Sequence, residues 1–408
     1  MKCRHCQTDL SLRFIDLETA PPSNSYLSAE ALQSLEKWYP LRVFTCEGCW
    51  LVQTEDYTHF GELFARDYAY FSSFSSSWLK HAERYVDDMV QRFGIGPKSQ
   101  VVEVASNDGY LLQYVKQRGI PCTGVEPTAS TAAVARQKGI EVVEGFFGVT
   151  LAKNLVGKGF AADLIVANNV LAHVPDINDF VAGFAELLKP NGMSTFEFPH
   201  LLRMVEECQF DTIYHEHFSY LSLTSVNTIF ARNALQVFDV QELPTHGGSL
   251  RVFAQRSGMG KRPISPKVAK LLHKETEAGV TSQGFYRGFQ ERADAIKDEL
   301  MMFLINAKRN GKRVGAYGAA AKGNTLLNYA GVRSNLLPWV VDRNPAKLGK
   351  YLPGCRIEIV DENRLEKERP DYIIILPWNL RNEIKEQIAY VREWGGRFVT
   401  AIPSLVVD

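Results

Sequence analysis

The segment Val101-Val-Glu-Val-Ala-Ser-Asn-Asp-Gly109 is the most informative one for the fold class, because a buried-strand pattern ends there in an acidic, glycine-containing turn. An amphipathic, helix-like pattern follows over residues 109–118. In doubly wound sheets, ligands bind at the carboxyl ends of the strands, which is where this turn falls. The stretch therefore predicts the first β-α unit of a parallel sheet and a ligand site at its edge.

The same alternation of apolar runs and amphipathic stretches continues in two series, which a charged helical pattern over residues 263–311 separates. Such alternation is typical of parallel sheets covered by helices. The further strands are predicted at 121–125, 162–167 and 193–198 in the first series and at 313–317, 338–341, 372–376 and 397–400 in the second. We therefore predict an α/β fold with a central Rossmann-like domain (66–260, including a helical lead-in) and a second Rossmann-like α/β domain (261–408).

Length and charge limit the possible functions. The 408 residues exceed the roughly 250–300 residues of a single core, so several domains are expected. Lysine plus arginine equals aspartate plus glutamate, 46 each, which argues against a general nucleic-acid or membrane-surface binder. The sequence has no apolar run of bilayer length and no apolar signal core at its N-terminus. We expect a cytoplasmic protein that binds neither nucleic acid nor membranes.

Four of the seven cysteines form two C-x-x-C pairs, Cys3/Cys6 and Cys46/Cys49. This spacing lets both thiolates of a pair face one tetrahedral metal ion, and two pairs complete a four-thiolate zinc site. Such a site has no open coordination position, so we predict a structural zinc ion in an N-terminal module of residues 1–65. Unrelated thiol pairs or a redox pair are the alternatives.

The acidic turn after the first strand predicts the class of cofactor. Carboxylates there suit a ligand with amino and sulfonium groups, and they would repel a pyrophosphate. A glutamate at the end of the second strand is placed to accept both hydroxyls of a ribose. These features predict S-adenosylmethionine, and another nucleotide is the alternative. The predicted cofactor-binding residues are Glu103, Ser106, Asn107, Asp108, Gly109, Glu126, Phe147, Asn168 and Asn169.

A second cluster, Tyr214-His-Glu-His217, lacks the H-E-x-x-H spacing of helical zinc proteases. In an extended backbone or a turn, alternate residues share a face, and histidine is the natural general base near neutral pH. His173 follows the strand predicted at 162–167, at the rim that faces the cofactor. A lone histidine is more often a buried core residue, but four adjacent hydrogen-bonding side chains indicate a reaction site.

The second series carries its own candidate site at Val314-Gly-Ala-Tyr-Gly-Ala-Ala-Ala-Lys-Gly-Asn324. Backbone amides at a helix N-terminus bind phosphate, and Lys322 adds a positive charge. The motif is neither a dinucleotide fingerprint nor a P-loop. A diphosphate fits, with Tyr317 and Trp378 against the base or sugar, while tight strand–helix packing is the alternative reason for the small residues.

Together these segments resemble the zinc-containing sugar C-methyltransferases of deoxysugar pathways, such as the C-3′-methyltransferase of tetronitrose synthesis. The resemblance covers nearly the whole length, and one departure is Ala105, where that family often has glycine. The matching segments include the four cysteines, 21–27, 68–73, 103–109, 168–175, 196–199, 210–220, 246–251, 317–324, 341–345 and 376–379.

The resemblance implies a nucleoside diphosphate 4-keto-6-deoxysugar as substrate and C-3′ as the methylated atom. It implies that His217 is the base and that Tyr214, Glu216, His173 and either Tyr68 or Tyr70 line the sugar site. Ser249, Arg251, Tyr317, Lys322, Asn324 and Trp378 are the predicted substrate-binding residues. The organisation is compatible with a monomer.

Other functions stay open at this level. Methylation of oxygen or nitrogen would need only a different acceptor group. An NAD-dependent sugar-nucleotide oxidoreductase or epimerase is disfavoured by the acidic Asn107-Asp108 turn, and a non-enzymatic zinc-ribbon protein is disfavoured by the zero net charge.

Overall fold

The computed structural model describes residues 1–57 and 71–408, which form three sheets. Tyr68 and Tyr70 lie outside the described residues, so their predicted place in the sugar site stays a prediction. No described helix combines the length and the apolar character that crossing a bilayer demands.

The first sheet is antiparallel and joins two distant parts of the chain. Three strands come from the N-terminus: β1 (Leu12–Ala20), β2 (Tyr39–Thr45) and β3 (Val52–Thr54). Its fourth strand, in the order β1-β2-β3-β9, is Ser219–Tyr220, which directly follows the histidine cluster. The N-terminal sheet is therefore completed by the middle of the chain.

The second sheet has seven strands in the order β10-β11-β8-β7-β4-β5-β6. The five strands from β8 to β6 are parallel, and β11 and β10 extend the sheet in antiparallel register. Because β4 lies between β5 and β7, the chain reverses direction across the sheet at β4, as doubly wound folds do where they bind ligands. The strands are β4 (Val101–Val104), β5 (Cys122–Glu126), β6 (Glu141–Glu144), β7 (Ala162–Asn168), β8 (Leu188–Pro199), β10 (Leu235–Leu243) and β11 (Ser249–Arg256).

The helices of this middle part begin with α1 (Ser76–Phe93), where the Ser75 hydroxyl caps the Trp78 amide and Gly94 ends the helix in a left-handed conformation, at φ +68°. The others are α2 (Leu112–Gln117), α3 (Ala129–Gln137), α4 (Val149–Gly157), α5 (Ile177–Leu187), α6 (Leu201–Glu206) and α7 (Leu223–Arg232).

The predicted charged helical segment is three helices: α8 (Pro266–Ala278), α9 (Gln283–Tyr286) and α10 (Phe289–Arg309). The breaks fall at Gly279 and Gly288, whose φ angles of +89° and +76° only glycine adopts without strain. Helix α8 packs against β10, so the start of the segment shares a core with the middle sheet.

The third sheet has the order β14-β13-β12-β15-β16-β17, and all its strands are parallel except the last. Strand β12, the first of this sheet in sequence, lies between β13 and β15. The chain therefore reverses direction across this sheet as well, as it does in Rossmann folds. Its elements are β12 (Val314–Tyr317), α11 (Ala321–Tyr329), β13 (Trp339–Val341), β14 (Glu358–Val360), α12 (Asn363–Glu368), β15 (Tyr372–Ile375), α13 (Arg381–Gln387), β16 (Arg397–Thr400) and β17 (Val406–Val407).

The hydrophobic cores tie the three sheets together. One core runs from β1 and β2 through α10 to the strands of the third sheet, with Phe14 stacked on Phe289 at 4.4 Å between ring centroids. A second core joins the cysteine pairs to the middle sheet. The N-terminal module is therefore packed into both other parts, and it is held where its loops can reach a site between them.

Candidate active site

A cavity of about 1490 Å³ lies where the carboxyl ends of the middle sheet's strands face those of the third sheet. Residues from all three parts of the chain line it, including Asn24, Glu126, His217 and Lys322. The two predicted ligand sites are thus opposite halves of one cavity.

The four paired cysteines converge outside this cavity. Their sulfur atoms all lie within 4.8 Å of one another, with Sγ–Sγ distances of 3.6 Å for Cys3–Cys49 and 3.4 Å for Cys6–Cys46. A tetrahedron with Zn–S bonds of about 2.3 Å has edges close to these values. The thiolates therefore fit one zinc ion and fill its coordination shell.

The zinc module holds both loops that carry the candidate histidines. Strand β3 pairs with β9, and the Thr54 hydroxyl donates to the carbonyl of His217 at 3.2 Å. The Arg4 guanidinium donates to the carbonyl of Pro175 at 3.1 Å, two residues beyond His173. The position of the candidate base therefore depends on the module.

At the cofactor end, Glu126 ties the first two turns of the middle sheet together. Its carboxylate accepts the amide protons of Asn107 and Thr128, each at 2.9 Å, and burial raises its pKa. Ala105 has a φ of +58°, so the position where the resembling family has glycine does adopt the left-handed conformation. The turn keeps its shape with alanine there.

Amide and aromatic groups complete this end. The Oδ1 atoms of Asn168 and Asn169 are buried without a hydrogen-bond partner among the described residues, and both residues line the cavity. Phe147 packs against Phe180 and Phe184, while its neighbour Phe146 is 53% exposed at the cavity. Acceptor oxygens without a described partner, a carboxylate and an exposed aromatic ring fit an adenosyl ligand that carries an ammonium group. Phe146 is a better candidate than the predicted Phe147 for packing against the adenine.

The other predicted cofactor residues lie behind the lining. Glu103 is fully buried in β4, and burial raises its pKa well above the ordinary value. Asp108 accepts the amide proton of Ser73 at 3.3 Å and faces Lys138 at 3.7 Å. Ser106 packs against Gly124, where a Cβ would come within 2.4 Å of its hydroxyl. These residues and Gly109 shape the turn, whereas Asn107 reaches the cavity.

His217 is held in one tautomer. Its Nδ1 lies 2.8 Å from the carbonyl of Thr212, which can only accept, so the proton is on Nδ1. Its Nε2 lies 2.7 Å from the Tyr214 hydroxyl and accepts from it. Burial, followed by the neighbouring His173, lowers the pKa of His217 well below the ordinary value. The imidazole is therefore neutral at neutral pH, with the Nε2 lone pair at the cavity.

His173 and Tyr214 surround this imidazole. The ring centroids lie 4.6 Å (His173) and 3.9 Å (Tyr214) from that of His217, and all three residues line the cavity. Burial lowers the pKa of His173 to about 4, so it too is neutral. The structure brings together one proton acceptor and two neutral hydrogen-bonding groups.

Glu216 faces the zinc module. Its two carboxylate oxygens accept from the Nδ2 of Asn24 at 2.9 and 2.8 Å, and Asn24 lines the cavity while Glu216 is not among the described lining residues. Tyr26, two residues on, donates to the carbonyl of Ala319 in the third part at 2.7 Å. Sequence reasoning missed Asn24, although the segment 21–27 was among those that matched the resembling family.

A charged cluster around Glu197 was also missed. This fully buried carboxylate accepts from His81 at 2.9 Å, Arg251 at 2.7 Å and Thr245 at 3.0 Å. Burial alone would raise the pKa of Glu197, but the hydrogen bond from His81 and the charge of Arg251 lower it to about 2. A glutamate inside the apolar strand Phe196-Glu-Phe198 was the available signal. Arg251 lines the cavity with its charge already neutralised by Glu197.

His246 is a further lining residue that the sequence did not single out. It has a φ of +55°, accepts from the Nδ2 of Asn169 at 3.1 Å, and lies against Trp78 at 5.1 Å between ring centroids. Burial and the neighbouring Lys322 lower its pKa to about 4. His246 therefore links the cofactor half of the cavity to the half that carries Lys322, and it is uncharged.

In the third part, Lys322 and Tyr317 line the cavity. The Lys322 ammonium donates to Asn379 at 2.9 Å and lies 4.8 Å above the Trp378 ring. Two other predicted substrate residues are not among the described lining: Ser249 donates to the carbonyl of Thr245 at 3.0 Å, and Asn324 is buried in α11. Trp378 is also not among the described lining residues, but its ring contacts the Lys322 ammonium, which lines the cavity.

Three family models match consecutive parts of the chain. They are described as "Putative zinc binding domain" (residues 3–64), "Methyltransferase domain" (78–240) and "C-methyltransferase C-terminal domain" (244–403). The C-methyltransferase NovU of Streptomyces niveus is 33% identical over 403 residues, which are 99% of this chain and 96% of that protein. The similarity therefore extends over all three parts.

Other similarities are partial. The ubiquinone biosynthesis O-methyltransferase of Chelativorans sp. (strain BNC1) is 27% identical over 115 residues, 26% of this chain and 46% of that one. Among solved structures, the magnesium protoporphyrin IX methyltransferase ChlM of Synechocystis PCC 6803 with bound SAH has a TM-score of 0.36 and 16% identity, covering 44% of this chain and 83% of that one.

The first prediction concerns the four thiolates. Cys46→Ser should reduce bound zinc from one ion per chain to a small fraction and lower the melting temperature, because a tetrahedral site loses a ligand. Hydrogen exchange of the amides at 217–220 should accelerate, since β3 loses its support. Metal analysis, calorimetry and exchange mass spectrometry measure these effects. Cys122→Ser, outside the cluster, is the control, and unchanged exchange at 217–220 would contradict the coupling.

Proposed function

The chain belongs to the family of S-adenosylmethionine-dependent C-methyltransferases, and we propose that it methylates C-3′ of a nucleoside diphosphate 4-keto-6-deoxysugar. The methyl donor is S-adenosylmethionine, and Cys3, Cys6, Cys46 and Cys49 bind zinc. The protein thus has a class I methyltransferase fold between a four-cysteine module and a C-terminal α/β part. The observation that supports the mechanism best is the fixed tautomer of His217.

We assign the role of general base to His217. A carbon beside a ketone is a weak acid, so its proton must meet a positioned base while the oxygen meets hydrogen-bond donors. The Thr212 carbonyl keeps the proton on Nδ1 and leaves Nε2 to receive another. A base that is already neutral needs no prior deprotonation at neutral pH.

Tyr214 links the base to the developing oxyanion. Its hydroxyl donates to Nε2 of His217 at 2.7 Å in the absence of substrate. When the sugar arrives, its C-3′ proton replaces that hydroxyl at Nε2, and the hydroxyl turns to the ketone oxygen. His173 stays beside the base, and its hydrogen bond to the backbone of Glu216 leaves Tyr214 as the donor at this oxygen. Displacing the Tyr214 hydroxyl from Nε2 thereby exposes the base and, at the same time, supplies a hydrogen-bond donor to the ketone oxygen.

Glu126, Asn168 and Asn169 would hold S-adenosylmethionine, which when bound would supply its sulfonium-bound methyl group to the carbon that His217 deprotonates. The residues of the chain contribute the alignment of the reacting groups. Asn24, fixed by Glu216, is placed to hold a sugar hydroxyl from the zinc-module side. Glu216 acts on the sugar through Asn24.

The nucleotide part of the substrate lies against residues 261–408 in this proposal. Lys322 at the start of α11 is partly buried and lines the cavity, which suits a diphosphate. Tyr317 and Arg343 line the same side. We retain residues 1–65, 66–260 and 261–408 as the three functional divisions, with α8 packed on the middle one.

The second prediction is the identity of the product. Incubation with dTDP- and GDP-linked 4-keto-6-deoxysugars should give a product 14 mass units heavier with one sugar, and carbon NMR should place the new methyl group on C-3′. A methyl group on C-5′, the other carbon beside the ketone, would overturn the position. An oxygen- or nitrogen-bound methyl group would favour the O- or N-methyltransferase alternative.

The third prediction concerns His217→Asn. Turnover should fall by about a thousandfold, since general base catalysis contributes roughly 10²–10⁴-fold. Calorimetric affinity for S-adenosylmethionine should stay unchanged. Because the pKa of His217 is lowered, wild-type turnover should be flat through neutral pH and fall only at acid pH, where the imidazole takes up a proton. His273→Asn, on an exposed helix face, is the control, and near-wild-type turnover of the His217 variant refutes the assignment.

The fourth prediction concerns Lys322→Ala. Affinity for thymidine diphosphate or guanosine diphosphate should fall by about tenfold or more, because a buried charge-assisted contact is lost. S-adenosylmethionine affinity should not change. Isothermal titration measures both, with Lys350→Ala, outside the described lining, as the control. A variant that binds the diphosphate as the wild type does would remove Lys322 from the proposal.

A further inference from the structure

The Trp378 indole connects a buried carboxylate in the middle part to the lysine of the third part. Its Nε1–H donates to Oδ2 of Asp211 at 2.8 Å, and the Lys322 ammonium lies 4.8 Å from the ring centroid. Asp211 is 0% exposed, in the helical turn Phe210–Thr212 that leads to the histidine cluster. The three side chains thus form a chain of contacts across the junction of two sheets.

Gly247 packs closely against one side of the indole. Its φ is +90°, and a Cβ there would come within 2.3 Å of the indole's Cη2 atom. On the other side, the Asn379 Oδ1 accepts a hydrogen bond from the Lys322 ammonium at 2.9 Å. The Lys322 ammonium is therefore fixed in position.

The Asp211 carboxylate supplies the negative charge that balances the Lys322 ammonium. Burial lowers the pKa of Lys322, and the carboxylate of Asp211 opposes that effect. His217 and His246 also lie within electrostatic reach, but burial lowers both of their pKa values, so neither is charged at neutral pH. Burial in turn raises the pKa of Asp211 to about 6, against the effect of Lys322. Each buried charge thus favours the other.

We propose that Asp211 is a positioning residue that, through the Trp378 indole, keeps Lys322 aimed into the cavity as an ammonium ion ready for an acceptor's phosphate. This inference rests on the proposed contact between Lys322 and the diphosphate. It adds that the contact is controlled from the methyltransferase side of the cavity. The contacts from Asp211 through Trp378 to Lys322 are then part of acceptor recognition as well as of the junction.

The test compares the pH dependence of diphosphate binding in Asp211→Asn and the wild type. Thymidine diphosphate and guanosine diphosphate are titrated into the full-length protein saturated with S-adenosylhomocysteine, from neutral to mildly alkaline pH. Asparagine can still accept from the indole, so the fold is kept while the charge is lost. Without that charge Lys322 loses its proton at lower pH. The alkaline fall in affinity should therefore begin at lower pH, with binding about tenfold weaker at the alkaline end.

Two further variants and one control separate charge from packing. Lys322→Arg in the Asp211→Asn background should restore pH-independent binding, because a guanidinium stays charged without a nearby carboxylate. Trp378→Phe removes the indole N–H and should shift the profile in the same direction as Asp211→Asn. Trp394→Phe is the control and should leave the pH profile unchanged. The Trp394 indole N–H donates to the carbonyl of Pro370 at 3.2 Å, in the same part of the chain.

The outcomes distinguish this inference from the function it rests on. If Lys322→Ala loses diphosphate affinity while the Asp211→Asn profile superimposes on the wild type, the role of Asp211 is overturned and that of Lys322 stands. If Lys322→Ala binds normally, or the wild type binds neither diphosphate, the proposed acceptor contact fails and the inference fails with it. An unshifted profile in Trp378→Phe, with a shifted one in Asp211→Asn, overturns the path through the indole.

Discussion

The arrangement of this protein depends on the pairing of β3 with β9, which joins a zinc-stabilised module to the residues directly after the candidate base. Four thiolates on one metal ion fix a small sheet whose apolar residues, such as Phe14 and Val43, belong to a core shared with the third sheet. That sheet then determines where the His217 backbone lies, because Thr54 donates to its carbonyl. A site that must place a proton acceptor within hydrogen-bond reach of carbon cannot tolerate a loose support, and the metal provides a rigid one far from the chemistry.

The two Rossmann-like sheets use the same device at their facing edges. Glu126 accepts an amide proton from the turn after β4 and one from its own turn. Asp342 does the same with Ala319, after β12, and with Asn344, each at 2.8 Å. A carboxylate after the second strand therefore braces the turn after the first in both halves. Between these braced turns burial keeps the cavity histidines His173, His217 and His246 neutral.

Local patterns predicted the parts of this site that are carried by short stretches. The C-x-x-C spacing fixed the zinc ligands, and the strand-turn-helix pattern located Glu126 and Lys322, because each depends on residues within one β-α unit. Partners that come from distant segments could not be predicted in this way. Nothing near Glu216 indicates that its carboxylate meets Asn24, and the role of Glu197 depends on His81 and Arg251. The helical breaks at Gly279 and Gly288 were missed because the charged residues on both sides were taken as one pattern, although residues 278–286 carry no charge.

The contribution of Ser219–Tyr220 to the N-terminal sheet has a consequence for synthesis on the ribosome. The first three strands emerge early, yet their sheet lacks its last member until residue 220 has left the exit tunnel. Until then β3 presents an unpaired edge, the kind of surface that attracts other nascent chains. Closing so long a loop is also slow. Chaperone dependence during translation should consequently centre on the first half of the polypeptide and end once that late strand arrives.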